Sequence, residues 1–390
     1  MPIDYQQIYT QIKEIGAGVK ERKKRKEEAQ ASSRELLAYY DSKLDELRAK
    51  VDSARQIDPN TRCAYPLTES LASSFPPIDF APRATLIAAD GSQINPDRHA
   101  AIQFCVVNVG AIMMKMKSGE APEIFTNSEL LYGDDLLPNG FPLSDGIVAL
   151  KRDLAERTKL DELSKSIKGP VVTFTDGPIE LWGAKGEDSQ AYAEFSQKYL
   201  GALSRLQSRG VVTAGYVDKP SADLVIRLLE IASANNEETQ KIRDFHPLRG
   251  VSDRWLFNPL LPPGHRSSVF KIQSSSDKTY KNALSLHFFY LNVGTDGHPW
   301  PVRVEIPQWV EDDKTKLDLL HSVLVEQCRM MGSRPYPYLL HRAHETALVK
   351  MEEKQQIEQL ISMEMRRNNE ETDEGSYKHS AKNLQGRNRM

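Results

Sequence analysis

The chain has 390 residues, 39% of them hydrophobic and 27% charged, with a net charge of -3. That supports one large core or two smaller ones, with extended charged segments beside them. No apolar run is long enough to span a membrane and MPIDYQQIYTQIKEIG has no apolar signal core. The three cysteines (Cys63, Cys105, Cys328) are scattered, so membrane, secreted-disulfide and cysteine-zinc classes are excluded and a cytoplasmic protein is expected.

From about Tyr5 to Ile57 there is neither proline nor strand pattern. Ile8, Ile12, Ile15 and Val19 make one apolar stripe, and Leu37, Tyr40, Leu44, Leu47 and Val51 repeat with heptad-like spacing, which predicts a long helix or helical hairpin packing on a partner. The charged run Lys20 to Glu28 between them reads as a solvated face. A loop rich in proline and serine, Pro66 to Pro82, leads into the apolar run Ala84-Thr85-Leu86-Ile87-Ala88 and the step Ala89-Asp90-Gly91-Ser92. Ala100 to Met114 is expected as one long strand, and Glu123-Ile124-Phe125 as a third. A helix follows from about Ser144 to Lys168, with Ile147, Leu150, Leu154, Leu160, Leu163 and Ile167 on one side. Val171-Val172-Thr173-Phe174 then ends in Thr175-Asp176-Gly177-Pro178. A helix from Asp188 to Ser208, a strand from Val211 to Val217 and a helix to Ala234 come next. Strand, strand, strand, helix, strand, helix, strand, helix is the order of a ribonuclease-H-like mixed α/β sheet. Strands at Leu284 to Leu291 and Val302 to Ile306, joined by Gly294-Thr295-Asp296-Gly297, lead to helices at Lys314 to Met331 and Pro337 to Met365. The polar tail after Arg366 has almost nothing to bury and reads as disordered.

Two apolar strands that each end in Asp-Gly place Asp90 and Asp176 where the backbone leaves the core. Side by side they would set two carboxylates together, and like charges that close need a cation between them. A lone Asp-Gly is more often only a turn. Glu156, on the intervening helix, and His344, near the start of the last helix, complete a candidate constellation. Oxygen ligands with one imidazole suit Mn²⁺, with Mg²⁺ possible. Two ions roughly 3.5–4 Å apart would activate water and stabilise the leaving oxygen of a phosphodiester.

The ordered series Ala89-Asp90-Gly91-Ser92, Thr175-Asp176-Gly177-Pro178, Gly215-Tyr216-Val217-Asp218-Lys219-Pro220, Val302-Arg303-Val304-Glu305-Ile306-Pro307 and Tyr336-Pro337 ahead of Ala343-His344-Glu345 resembles the NurA nucleases, partners of the hexameric HerA ATPase in DNA-end processing. The resemblance implies a ribonuclease-H-like fold, Mn²⁺-dependent cleavage of DNA and a homodimer. It implies Asp90, Glu156 and Asp176 as metal ligands, His344 as ligand or proton relay, and Tyr336 close to the site; Asp153, Asp161 and Glu162 compete with Glu156 on the same helix. Lys219 and Arg266 are candidate phosphate contacts, while burial at a dimer or domain contact is the expectation for Trp255, Trp300 and Trp309. The expected organisation is a charged helical extension over 1–58, a nuclease domain over 59–355 and a helix end with tail over 356–390. A non-catalytic adaptor that binds DNA or the ATPase ring is the alternative. Aspartate-based phosphatase chemistry is disfavoured because Asp90-Gly91-Ser92 has serine where a second acid belongs.

Overall fold

Nine consecutive residues, Phe104 to Ile112, are buried in the computed structural model, so their strand is covered on both faces and its sequence reads as one apolar run rather than an alternation. The structure describes residues 3–78, 83–137, 142–182 and 189–368. In chain order the strands are β1 (Cys63–Pro66), β2 (Ser74–Phe75), β3 (Thr85–Ile94), β4 (Phe104–Lys115), β5 (Glu123–Tyr132), β6 (Val171–Asp176), β7 (Val212–Val217), β8 (Arg266–Ser267), β9 (Phe270–Gln273), β10 (Leu286–Asn292) and β11 (Pro301–Pro307). The helices are α1 (Tyr5–Ala17), α2 (Val19–Tyr40), α3 (Leu44–Ile57), α4 (Asp145–Ser164), α5 (Ser189–Ser208), α6 (Leu224–Ser233), α7 (Asn236–Gln240), α8 (Asp253–Phe257), α9 (Gln308–Glu311), α10 (Lys314–Arg329), α11 (Tyr338–Ala347) and α12 (Met351–Arg367). None of the described helices is long and apolar enough to cross a membrane.

Two compact units emerge, each built from two stretches of chain: Met1–Phe80 with Tyr216–Pro335, and Ala81–Gly215 with Tyr336–Met390. This division cuts across the expected segments 1–58, 59–355 and 356–390.

In the unit Ala81–Gly215 with Tyr336–Met390, the strand order is β7-β6-β3-β4-β5. β3 pairs antiparallel with β4 from Thr85↔Lys115 to Ile94↔Val106, and β4 pairs antiparallel with β5. β6 joins β3 in parallel, from Thr85↔Val171 to Ala89↔Thr175, after the crossover through α4. The result is the mixed sheet with flanking helices that the sequence predicts. Ser144 caps α4 by accepting from Ile147 N (3.3 Å), and Val148 joins Cys105, Val107, Leu131 and Leu136 in the core beneath it.

The expected single helix from Pro337 to Met365 is two. The last carbonyl of α11, Ala347 O, accepts from Asn108 Nδ2 (2.7 Å) and from Ser92 Oγ, so side chains of β4 and β3 satisfy it in place of another helical turn. The chain then turns into α12, whose Ile357, Ile361 and Met365 cover buried Ile94, Ile102, Phe104 and Val106. The tail expected to be disordered lies outside the described residues from 369 on; α12 itself continues to Arg367.

In the unit Met1–Phe80 with Tyr216–Pro335, the strand order is β1-β9-β10-β11, with β2 paired to β8 and β8 to β10. Phe257, Tyr290, Phe288 and Phe270 make consecutive ring contacts, stacked or edge-on, at centroid distances of 4.8, 5.9 and 5.5 Å. Tyr5 to Ile57 folds as three helices rather than as one long helix or a two-helix hairpin, broken at Gly18 and again after Tyr40. The heptad-like stripe crosses the second break. Leu47, Val51 and Ala54 are fully buried, α3 packs on α6, and Tyr40 donates its hydroxyl to Ala232 O (2.8 Å), so the stripe fills this unit's own core. The first stripe stays exposed, with Ile8, Ile12 and Ile15 on α1 and Val19 at the start of α2.

Gly110, opposite Asp90 on β4, meets the backbone of α11: a Cβ there would lie 2.6 Å from Ala347 N and 2.7 Å from Ala343 O. Gly110→Ala has to displace a helix rather than a side chain. We expect it to cost about 1–3 kcal/mol, read as a lowered Tm in thermal unfolding. An unchanged Tm would show that α11 is not seated on β4 in this way.

Candidate metal centre

The site grows from the register of β3 and β6. Their last parallel pair is Ala89↔Thr175, so Asp90 and Asp176 follow at equivalent positions on neighbouring strands, about 4.8 Å apart across the sheet. β6 stops there, because Gly177 adopts a left-handed conformation (φ +82) that turns the chain away. β3 does not stop: contrary to expectation, Asp90 sits in mid-strand, and β3 stays paired with β4 as far as Ile94. Gly91 is therefore no turn residue. A Cβ at that position would lie 2.5 Å from Arg152 Cγ and 2.6 Å from Glu156 Oε1, so its role is to let α4 approach the strand.

Side chains at 90 and 91 point to opposite faces of the sheet. Gly91 meets α4. Asp90, opposite Gly110, faces α11, where its Oδ2 accepts from His344 Nδ1 (2.7 Å) while its Oδ1 accepts from Gly91 N (2.8 Å). Because β6 has ended, the two faces open into one cleft of about 400 Å³ lined by Asp90, Asp153, Glu156 and Asp176, with Arg152 and Trp182.

Electrostatics mark the cleft. Burial, with the charges of Asp153 and Asp90 adding to it, pushes the Glu156 carboxyl well above the ordinary glutamate range, against the opposing pull of Arg152 and Arg157. Burial also raises Asp153, although Arg152 donates to its Oδ1 (2.8 Å from Nη2). Arg157 is 1% exposed; its Nη2 donates to Thr175 Oγ1 and Tyr199 OH (3.1 Å each), and Tyr199 donates onward to Ile179 O (2.9 Å). That buried strut ties α4 to the end of β6 and to α5.

Among the competing helix acids, geometry selects. Burial would raise Asp161, but hydrogen bonds from Arg205 (2.7 Å) and Arg209 outweigh it and hold the carboxyl low, on the side of α4 that meets α5. Glu162 is exposed and paired with Lys159 (2.8 Å). Glu156 and Asp153 are the helix acids that line the cleft. Tyr336 is half-buried just ahead of α11 and is not among the lining residues.

Arg266 is not a phosphate contact. It is 3% exposed, makes a forked pair with Glu69 (2.9 and 3.1 Å) and lies over the Phe75 ring, so it is a structural ion pair of the other unit. Lys219 is exposed just after β7 in that same unit. Trp309 is buried. Trp255 is half exposed with Lys26 over its ring, and Trp300 packs under Arg254 while donating to Asp218 Oδ1 (3.1 Å). Sequence reading missed Arg152, Arg157, Glu180 and Trp182. The signal for the first two was present: Arg152-Asp153 and Glu156-Arg157, one turn apart on a helix between the two Asp-Gly strands.

The donor chemistry fits a divalent cation: a buried Glu156 carboxyl that burial and the charges of Asp153 and Asp90 push up, and an imidazole on Asp90. Among the described residues no three such groups converge at coordination distance. Arg152 is the cation that Asp153 and Glu156 share instead.

Residues 84–349 match the NurA domain family, and the chain belongs to that family. The crystal structure of the NurA nuclease from Sulfolobus solfataricus is similar in fold, with a TM-score of 0.50 and 11% identity over 93% of this chain and 98% of that one. The catalytic domain of human Endonuclease V aligns at a TM-score of 0.32 and 12% identity, over 82% of this chain and 98% of that one. No curated protein sequence is significantly similar.

A carboxyl raised on folding makes the folded state bind its proton more tightly than the unfolded chain does. Stability from Glu156 is therefore fully present below the unfolded glutamate pKa of about 4.3 and is lost as pH rises through the raised folded value. Glu156→Gln removes that loss. With chelator present, we expect its Tm to exceed the wild-type Tm at neutral pH and the two to converge near pH 4. Parallel curves would show that Glu156 carries no such charge penalty.

Proposed function

We propose that this NurA-family nuclease is a divalent-metal-dependent deoxyribonuclease that acts at DNA ends together with a HerA-like hexameric ATPase. The observation that carries the metal-dependent reading is the single cleft at the end of the β3–β6 pair, which gathers Asp90, Glu156 and Asp176 and sets His344 on Asp90.

Asp90, Glu156 and Asp176 would hold the ion, Mn²⁺ in the first place and Mg²⁺ in the second. The ion would supply a Lewis acid and a water of lowered pKa for phosphodiester hydrolysis. The chain's own groups supply position. Gly91 N and His344 Nδ1 each hold one oxygen of Asp90 and fix that carboxylate's plane. With Nδ1 committed to Asp90, Nε2 is the His344 atom left to take or give a proton, and the side chain is exposed enough for substrate to reach it. The adaptor reading has no comparable observation in its favour.

The partner assignments rest on the family and on α1. Its exposed Ile8, Ile12 and Ile15 form the apolar face that we assign to the ATPase ring, and the working form is a homodimer in the cytoplasm.

The decisive assay is cleavage of end-labelled linear and closed-circular DNA with Mn²⁺, Mg²⁺ or chelator. Asp90→Ala and Asp176→Ala should each lower the rate by roughly 10²-fold or more, since losing a ligand exceeds the 10–100-fold cost of losing a ligand's partner. Their Tm without metal should hold or rise as repulsion is relieved. Wild-type cleavage by either variant would remove it from the site. Deleting residues 1–17 should leave the Tm near wild-type and abolish capture by the cognate ATPase, whereas deletion to residue 60 should unfold the unit that α3 helps build. Full capture after the short deletion would refute the role given to α1.

A further inference from the structure

Arg152 reaches into the acidic cleft by a route the fold has been shaped to allow. Its stem crosses β3 at Gly91, where a Cβ would meet Arg152 Cγ at 2.5 Å. Its guanidinium donates to Asp153 Oδ1 through Nη2 (2.8 Å) and Nε (3.2 Å), lies 3.5 Å from Glu156 Oε1 and feels the charge of Asp90. A third of the side chain is open to the cleft. An i,i+4 ion pair on a helix surface contributes little and needs no glycine on a neighbouring strand to form. Arg157 has no such freedom, being 1% exposed and already donating to Thr175 and Tyr199.

A divalent ion and this guanidinium require the same carboxylate oxygens, and two cations in one small cleft repel. An arginine is also the side chain whose planar fork fits a phosphate. Building on the metal-dependent nuclease reading, we propose that Arg152 is the phosphate-contacting residue of this site. Asp153 and Glu156 hold it until the divalent ion takes their oxygens; it then turns to the DNA phosphate entering the cleft.

The proposal requires effects of opposite sign from one substitution. Arg152→Gln removes a competitor for the carboxylates and should tighten Mn²⁺ binding to the full chain on the order of tenfold, measured by isothermal titration calorimetry with MnCl₂ and no DNA. The same variant at saturating Mn²⁺ should cleave end-labelled DNA on the order of 10²-fold more slowly. Arg152→Lys keeps the charge but not the fork. It should bind Mn²⁺ with near wild-type affinity, cleave more slowly than wild type and faster than Arg152→Gln. Damage to the fold alone would weaken both metal binding and cleavage. If wild type binds Mn²⁺ but Arg152→Gln binds it no more tightly, or cleaves at the wild-type rate, the role of Arg152 is overturned and the metal reading stands. If wild type gives no Mn²⁺ heat and needs no metal to cleave, both fall.

Discussion

Carboxylates withdrawn from water at the rim of one cleft are the constraint around which this unit is organised. Burial alone disfavours the charge on Glu156, and Asp153 and Asp90 make it worse. Such a group of charges persists only if cations answer it. Arg152 does so from the open side and Arg157 from inside, and both need particular neighbours: Arg152 needs the missing side chain of Gly91, while Arg157 needs the hydroxyls of Thr175 at the end of β6 and Tyr199 on α5. The end of β6 is part of the same solution. Were it one residue pair longer, the acids on the two faces of β3 would be separated by sheet.

His344 arrives from 254 residues further along the chain. What seats it is not a contact of its own but the fit of α11 on β4. Gly110 lets the helix backbone come close, and Asn108 and Ser92 take up the carbonyl of Ala347. The same bonds end the helix and send the chain into α12, whose apolar residues close over Ile94 and Phe104. Helix termination, core closure and placement of the imidazole thus come from one set of interactions.

Asp90 and Asp176 were legible because two short apolar runs each ending in Asp-Gly need only pair in parallel to bring their acids together, and that register is a local consequence of the crossover. What Gly91 does was not legible, since a glycine that turns the chain and one that admits a neighbouring helix look alike in sequence; only the pairing with β4 tells them apart. Glu156 was one acid of five on its helix. The choice rests on Arg205 and Arg209, far along the chain, which claim Asp161. Arg266 misled for the same reason, its partner Glu69 lying 197 residues upstream. The heptad-like stripe was read correctly as apolar and wrongly as a partner surface, because nothing local shows that α6 returns to cover α3. The two-unit division is discontinuous in sequence: one crossing falls in the loop rich in proline and serine, but that at Gly215–Tyr216 lies inside β7, where composition gives no signal.

Buried charge is not costly everywhere in this protein, and the contrast bears on catalyst against adaptor. Asp161 is met by two arginines, and Glu230 accepts from Arg227 (2.8 Å), His246 (3.1 Å) and Leu248 N (3.0 Å). Those acids are satisfied and stabilise the units that hold them. Around the cleft the accounts differ: Arg157 is buried with Nε and Nη1 unpartnered, and Glu156 is held above its ordinary pKa beside two other acids. Packing alone gives no reason for that arrangement, because an apolar residue in place of Glu156 would cost the fold less. A scaffold kept only for binding needs an accessible surface, not carboxylates gathered around one guanidinium. Within this unit the two carboxyls that burial raises, Asp153 and Glu156, both line this cleft, which suits a site that takes up a cation.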